Sequence, residues 1–210
     1  MGVPSLDNAL PHHGLAYGQV IELQVSGASG AATSFALCAC RAAQNQSQLG
    51  EDANRWCAFI DPSATLFAPG IAQLGVDLHR LLVVRPDLKS VGRVAVRIAE
   101  AKVASMLVID LRGAFGDLSF DSHEWQRTVR KLSLIIKQLS TCVLLITKAQ
   151  TFRALPLPVA MRLEFTRLST EHFELRVGKE RTGRITPPRS IGWSAFAPMV
   201  LSLRKGGAAA

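Results

Sequence analysis

The chain has 210 residues, of which 48% are hydrophobic, and a formal net charge of +8. This length and composition exclude an intrinsically disordered chain and favour one α/β domain over residues 1–205, followed by a flexible tail at 206–210. No apolar run reaches the roughly 18–20 residues that span a membrane, and the first residues lack the basic and apolar regions of a secretory signal, so we expect a cytoplasmic protein without membrane contact.

The positive charge is concentrated in the second part of the chain. Residues 1–126 carry 9 Lys and Arg against 12 Asp and Glu, whereas residues 127–210 carry 15 against 4. This asymmetry is typical of a protein with a polyanion or an acidic protein as a partner on one side. A solvated basic surface without a partner is the alternative interpretation.

The first strongly patterned segment is an apolar strand at 19–25, followed by the small-residue loop 26–34 and an Ala-rich helix to about residue 46. Strand, small loop and helix is the order of a phosphate-binding P-loop, in which backbone N–H groups and the helix N-terminus hold the phosphates. Gly27 and Gly30 supply loop glycines, and Thr33 stands where a Mg²⁺-binding hydroxyl would be. The pattern therefore predicts the geometry of a phosphate loop.

The charged group of such a loop is missing. The Lys expected before the hydroxyl residue is Ala32, the Gly before that Lys is Ala31, and the opening Gly is Ser26. The sequence therefore predicts a degenerate nucleotide loop that lacks its phosphate-binding cation.

Strands and helices alternate after this loop as far as residue 147. Apolar runs predict strands at 56–61, 81–85, 106–110 and 142–147, and helical periodicity predicts helices at 66–74, 89–104 and 123–139. This alternation is typical of a parallel sheet, with Trp56 in its core. The runs at 162–168, 173–178 and 199–203 lack intervening helices, so we expect them to form an antiparallel edge of the same sheet.

Four blocks resemble RecA in sequence. The block GLAYGQVIELQVSGASGAATS resembles the RecA lead-in, strand and P-loop, and RWCAFIDPSATLFAPGIAQLGVDLHRLLVVRPD resembles the block that follows. MLVID resembles the Walker B strand, and SHEWQRTVRKLSLIIKQLSTCVLLITK resembles the next helix and strand. The resemblance implies a RecA-like P-loop NTPase core with a mostly parallel sheet, flanking helices and antiparallel C-terminal edge strands.

The same resemblance assigns catalytic positions that this chain does not fill. The Glu that activates water in a RecA-type ATPase is Ser63 here, and the Gln that senses the γ-phosphate is Lys148. Thr33 and the Walker B carboxylate Asp110 remain. Loss of the cation and of the base each costs on the order of 10²–10⁴ in rate, so we expect no hydrolysis and no nucleotide cofactor.

A RecA-like chain with a degraded P-loop resembles the ImuA family of bacterial SOS mutagenesis cassettes. That resemblance implies a non-catalytic accessory protein in SOS-induced translesion synthesis, which contacts RecA and the polymerase-like ImuB. The same degraded core also resembles SulA, the SOS division inhibitor that binds FtsZ. A slow ATPase that uses a lysine from elsewhere in the chain is a further alternative.

A DNA-binding regulator of recombination is another possible function, because the second half of the chain is basic. Lys179 and Arg181 resemble the basic pair with which RecA reaches a neighbour's nucleotide. The phosphate contacts of such a regulator, or its contacts with an acidic partner, would come from six basic residues: Lys148, Arg153, Lys179, Arg181, Arg184 and Arg189.

The four cysteines indicate a reducing compartment. All of them lie in apolar stretches, and none belongs to a Cys-x-x-Cys pair or has the spacing of a zinc site. We therefore expect reduced thiols in the core and no metal site.

Overall fold

The computed structural model describes residues 2–27, 30–45, 56–114, 122–149, 157–181, 183 and 185–196. The strands are β1 (Val20–Ser26), β2 (Trp56–Ile60), β3 (Leu81–Val84), β4 (Ala104–Asp110), β5 (Cys142–Lys148), β6 (Met161–Arg167), β7 (His172–Glu180) and β8 (Thr186–Gly192). The helices are α1 (Pro4–Asp7), α2 (Ala31–Asn45), α3 (Ala68–Gln73), α4 (Val91–Ala101) and α5 (Ser122–Ile136). Within these ranges, none of the helices is long and apolar enough to cross a membrane.

All eight strands form one sheet in the order β3-β2-β4-β5-β1-β6-β7-β8. The sheet is parallel from β3 to β6 and antiparallel from β6 to β8. The predicted α/β fold, with a mostly parallel sheet, flanking helices and antiparallel edge strands, is therefore confirmed.

The direction of β6 differs from the prediction, which placed this strand in the antiparallel edge. β5 ends at the carboxyl edge of the parallel strands, whereas the amide of Ala160 donates to the carbonyl of Val20 at the opposite, amino edge. Because β6 begins at the same amino edge as β1, the two strands run in the same direction and pair parallel. Antiparallel pairing starts with the direct turn between β6 and β7.

The last described strand is β8, a segment that was not predicted as a strand. Pro187 and Pro188 lie near its start, and a sheet tolerates proline there because an edge strand has amides that need no partner in the ladder. The strand predicted at 199–203 and the tail at 206–210 lie outside the described residues.

Two hydrophobic cores cover the two faces of the sheet. Ile21 and Leu23 belong to the core that contains α2, whereas Val20 belongs to the core that contains α4 and α5. In the first core the ring of Phe165 packs edge-on against that of Phe35, with centroids 5.4 Å apart. Side chains of this size each contribute roughly 1.5–3 kcal/mol on burial, so packing on both faces of the sheet stabilises the position of β1.

A buried ion pair ties β1 to both of its neighbours. Glu22 in β1 is fully buried, and its Oε2 accepts a hydrogen bond of 2.7 Å from Nε of Arg162 in β6. Its Oε1 accepts a second bond, of 2.8 Å, from the hydroxyl of Thr147 in β5. Sequence reasoning gave these residues no role, although a lone acid inside an apolar strand is a signal of such a pair.

The four cysteines are free and buried, as predicted. Burial raises the pKa of the Cys38 thiol to about 12, and burial raises the pKa of the Cys142 thiol to the same value.

Trp56, by contrast, was wrongly predicted to lie in the core, since 38% of it is exposed. It is the first residue of β2, and the strand register shifts between Trp56 and Cys57, so the indole stands at the end of the sheet.

Candidate functional site

The degenerate loop lies at the carboxyl edge of the parallel strands, where β1 ends and α2 begins. Gly27 has a φ of +73°, a conformation that favours glycine, and the amide of Ser34 donates to the carbonyl of Gly30 at the start of the helix. Ala31 and Ala32 are fully buried in the core that contains α2. The position of the phosphate-binding Lys is thus occupied by a methyl group that packs against apolar neighbours.

The carboxylate of Asp110, at the end of β4, is bound by the guanidinium of Arg112. Nε of Arg112 lies 3.0 and 3.2 Å from the two carboxylate oxygens, and its Nη2 lies 2.5 Å from Oδ2. The backbone amide of Arg112 also donates to Oδ1, at 3.0 Å. Asp110 is nearly buried, so this pair neutralises a carboxylate that water reaches only slightly.

The same guanidinium reaches the hydroxyl of the degenerate loop. Nη2 of Arg112 donates to Oγ1 of Thr33 at 2.9 Å, so one nitrogen contacts both Thr33 and Asp110. In the RecA resemblance these are the two groups that hold Mg²⁺. A bound Mg²⁺ requires oxygen ligands at about 2.0–2.1 Å in octahedral geometry. With a guanidinium between the two oxygens, the residues present do not fit a magnesium–nucleotide complex.

Arg112 is the functional residue that sequence reasoning missed. The signal was the spacing Asp-x-Arg at a strand end, because an Asp side chain readily accepts a hydrogen bond from the amide two residues later. That local turn brings the Arg112 side chain back over the carboxylate. The contact with Thr33, 79 positions away in sequence, required the fold.

The loop after β2 meets the loop after β4 beside this pair. A Cβ added to Gly113 would lie 2.0 Å from Oγ of Ser63, so Ser63 occupies the space in front of that glycine. The fully buried Asp61 accepts bonds from the amides of Thr65 and Leu66, at 3.0 and 2.9 Å. Asp61 thus stabilises its own loop, and Ser63 places a hydroxyl where the resemblance expects a base.

The predicted basic residues do not form one surface. Lys148 is exposed beside the degenerate loop, in register with Val25 of β1. Lys179 and Arg181 lie together at the opposite, amino edge, because β7 runs antiparallel to β6. Arg189 is exposed on the outermost strand, β8, and the remaining two basic residues, Arg153 and Arg184, lie outside the described residues.

Another group of basic residues lines a groove between α4 and α5, here called the α4–α5 groove, which lies over one face of the sheet. The groove has a volume of about 510 Å³, and two carboxylates, Glu100 and Glu124, belong to its lining. Lys131 pairs with Glu100 at 3.2 Å. Two turns of α4 and two turns of α5 contribute its four cations: Arg93, Arg97, Arg127 and Lys131.

Comparison with known proteins supports the RecA resemblance. The family model of the RecA N-terminal domain matches residues 1–151, which include the degenerate loop, Ser63 and the Asp110–Arg112 pair. Protein RecA of Rhizobium leguminosarum bv. viciae is 29% identical over 160 residues, which are 70% of this chain and 43% of that relative. The chain thus spans less than half the length of this curated relative.

Proposed function

Because the chain belongs to the RecA N-terminal domain family, we propose that it is a non-catalytic accessory protein of the ImuA type. It supports SOS-induced translesion synthesis in the cytoplasm through contacts with RecA and ImuB. The observation that carries this proposal is the Arg112 guanidinium bound to both Thr33 and Asp110. The groups that would hold a metal–nucleotide complex are engaged within the chain, which leaves the RecA-like surface as the working part of the protein.

Two further features support the absence of turnover. Ala32 has an uncharged, fully buried side chain, so this position supplies no cation to a phosphate. Ser63 has a hydroxyl that does not act as a base at neutral pH. The cation stabilises the charge of the transition state and the base accepts a proton, so a site without either lacks two separate contributions to catalysis.

Calorimetry with ATP and magnesium tests the first half of the proposal. We expect no heat of binding and no phosphate release above background, with RecA as the positive control. The Ala32→Lys variant should also give no turnover, because Ser63 and Arg112 remain. Tight magnesium-dependent uptake of ATP, or phosphate release that Asp110→Ala abolishes, would contradict the proposal and favour a slow ATPase.

Co-purification tests the second half. The immobilised chain should retain RecA or ImuB at micromolar concentration, equally with and without ATP, since no nucleotide takes part. Retention of neither protein would refute the proposed partners. Cell filamentation on overexpression, together with retention of FtsZ, would favour the SulA-like alternative.

The α4–α5 groove favours one second function, a DNA-binding regulator of recombination. Its four cations face two carboxylates, which leaves a net positive surface for a phosphate backbone. Binding to single-stranded DNA should then weaken steeply with salt, and Arg97→Gln/Arg127→Gln should reduce the salt slope by about 1.4, because each phosphate contact on a single strand contributes about 0.7. Arg167→Gln/Arg176→Gln removes the same charge from β6 and β7 and is the matched control. An affinity that does not change with salt would exclude this function.

A further inference from the structure

A cavity of about 760 Å³ opens at the amino edge of the parallel strands, on the side opposite the degenerate loop. The end of α5, the start of β1, the residues before β6 and the end of β7 surround it. Gly18 brings the first two elements together, since it has a φ of +69° and a Cβ on it would lie 3.0 Å from the carbonyl oxygen of Lys137. Regular, closely packed elements therefore form the walls of this amino-edge cavity.

Four cations from two separate elements converge on the amino-edge cavity: Arg130, Lys137, Lys179 and Arg181. Lys179 donates to the carbonyl of Leu157 at 3.5 Å. The other three cations make no ion pair or hydrogen bond within the described part of the chain. The described lining contains one carboxylate, Glu180, so the cavity has an excess of positive charge that the described residues do not balance.

An apolar surface lies between these cations. Val20 and Val159 are buried beneath the cavity, and both belong to the core that contains α5. Leu134 lines the cavity with 76% of its surface exposed. It follows Arg130 by four positions, so these two residues share one face of α5, and Lys137 lies in the turn directly after the helix. An isolated exposed Leu is unremarkable, but one that stands in a concave, partly apolar site between unpaired cations indicates a binding surface.

We propose that the amino-edge cavity binds a segment of a partner protein in which acidic residues flank one or two large apolar side chains. The carboxylates of the partner segment pair with the four cations, and its apolar side chains cover Leu134, Val20 and Val159. Nucleic acid suits the cavity less well, because no residue of its lining is aromatic and single-stranded bases bind chiefly by stacking on aromatic rings. This inference rests on the proposed function, since it names the chemistry of the partner segment.

Fluorescence anisotropy with defined probes tests the inference without RecA or ImuB, so its failure is distinct from failure of the proposed partners. The probe is a labelled twelve-residue peptide in which Asp and Glu flank a central Leu-Phe pair. One control peptide replaces the acids by Asn and Gln, and another replaces Leu-Phe by Ser-Ser. A labelled oligothymidylate is the nucleic-acid probe. We expect the complete peptide to bind at least about tenfold more tightly than either control peptide and than the oligonucleotide.

Variants locate the binding site. Arg130→Gln/Arg181→Gln and Leu134→Ser should each weaken binding of the complete peptide about tenfold, whereas Arg167→Gln/Arg176→Gln, with the same change in charge outside the cavity, should leave it unchanged. Methyl NMR of the unmodified chain should show the Leu134 and Val159 signals shifting on titration. The inference is overturned if the three peptides bind equally, if the oligonucleotide binds as tightly as the complete peptide, or if these methyl signals do not move.

Discussion

The two edges of the parallel strands use positive charge in opposite ways. At the carboxyl edge the guanidinium of Arg112 is held by a carboxylate and a hydroxyl of the same chain. At the amino edge three cations, Arg130, Lys137 and Arg181, make no ion pair with any described residue. A cation with an internal partner stabilises the fold, whereas a cation without one is available to another molecule.

A third cation, Arg162, lies within β6 and pairs with Glu22 of β1. Only 12% of its side chain is exposed, compared with 26% for Arg112, and its partner Glu22 is fully buried. The loss of stability on removing each cation should therefore fall from Arg162 to Arg112 and then to Arg181.

The largest effect is expected for Arg162→Met. This change leaves Glu22 buried without its counter-charge and should lower the free energy of unfolding by about 3–5 kcal/mol, measured by urea denaturation. The double variant Glu22→Gln/Arg162→Met removes the unpaired carboxylate of Glu22 and should recover part of the lost free energy of unfolding. A loss below about 1 kcal/mol for the single variant would show that water reaches Glu22 in solution.

A smaller effect is expected for Arg112→Met. Asp110 keeps its bond from the backbone amide but loses the guanidinium, which should lower the free energy of unfolding by about 1–3 kcal/mol. Arg97→Met is the matched control, because Arg97 is exposed on α4 and should change stability little. Equal midpoints for Arg112→Met and the control would mean that the guanidinium does not hold Asp110 and Thr33.

Arg181→Met should change the free energy of unfolding by less than about 0.5 kcal/mol, because it removes an exposed cation that has no partner among the described residues. The same urea titration measures it. A loss as large as that of Arg112→Met would break the distinction between the edges, since Arg181 would then have a stabilising contact within the chain.

The amino edge should be packed as firmly as the rest of the sheet. Cys142 begins β5 at this edge, and because burial raises its pKa to about 12, it should react with a chromogenic disulfide reagent at pH 8 only as fast as the fold opens. Its contribution to stability is present below about pH 8.5, the pKa of an unfolded thiol, and is lost as the pH rises toward 12. Cys38, within α2, is the internal reference, and faster labelling of Cys142 than of Cys38 would show that the amino edge opens locally.

The sequence predicted the regular parts of the fold well. Continuous apolar runs bounded by polar turns identified β2, β4 and β5. These signals lie within the strand itself, because a strand that is buried on both faces needs an apolar side chain at nearly every position. The direction of β6 could not be predicted from its own residues, since it depends on the edge of the sheet at which the strand begins.

The candidate site was predictable only in part, for the same reason. The positions of Ala32, Ser63 and Asp110 follow from a pattern along the chain. The bond from Arg112 to Thr33 and the meeting of Arg130 with Arg181 join segments far apart in sequence, and no single-sequence pattern reports such distances. The error at Trp56 has a related cause. The sequence does not show where the sheet ends, so an aromatic residue at the start of a strand cannot be distinguished from a core residue.

Arg112 is attached to the same backbone turn as Asp110, two residues away. A diffusible metal ion leaves a carboxylate when a chelator competes for it or when its supply falls, but a tethered guanidinium keeps a constant local concentration at its partner. The electrostatic balance at this edge is therefore encoded in the polypeptide and does not follow the ionic composition of the surroundings.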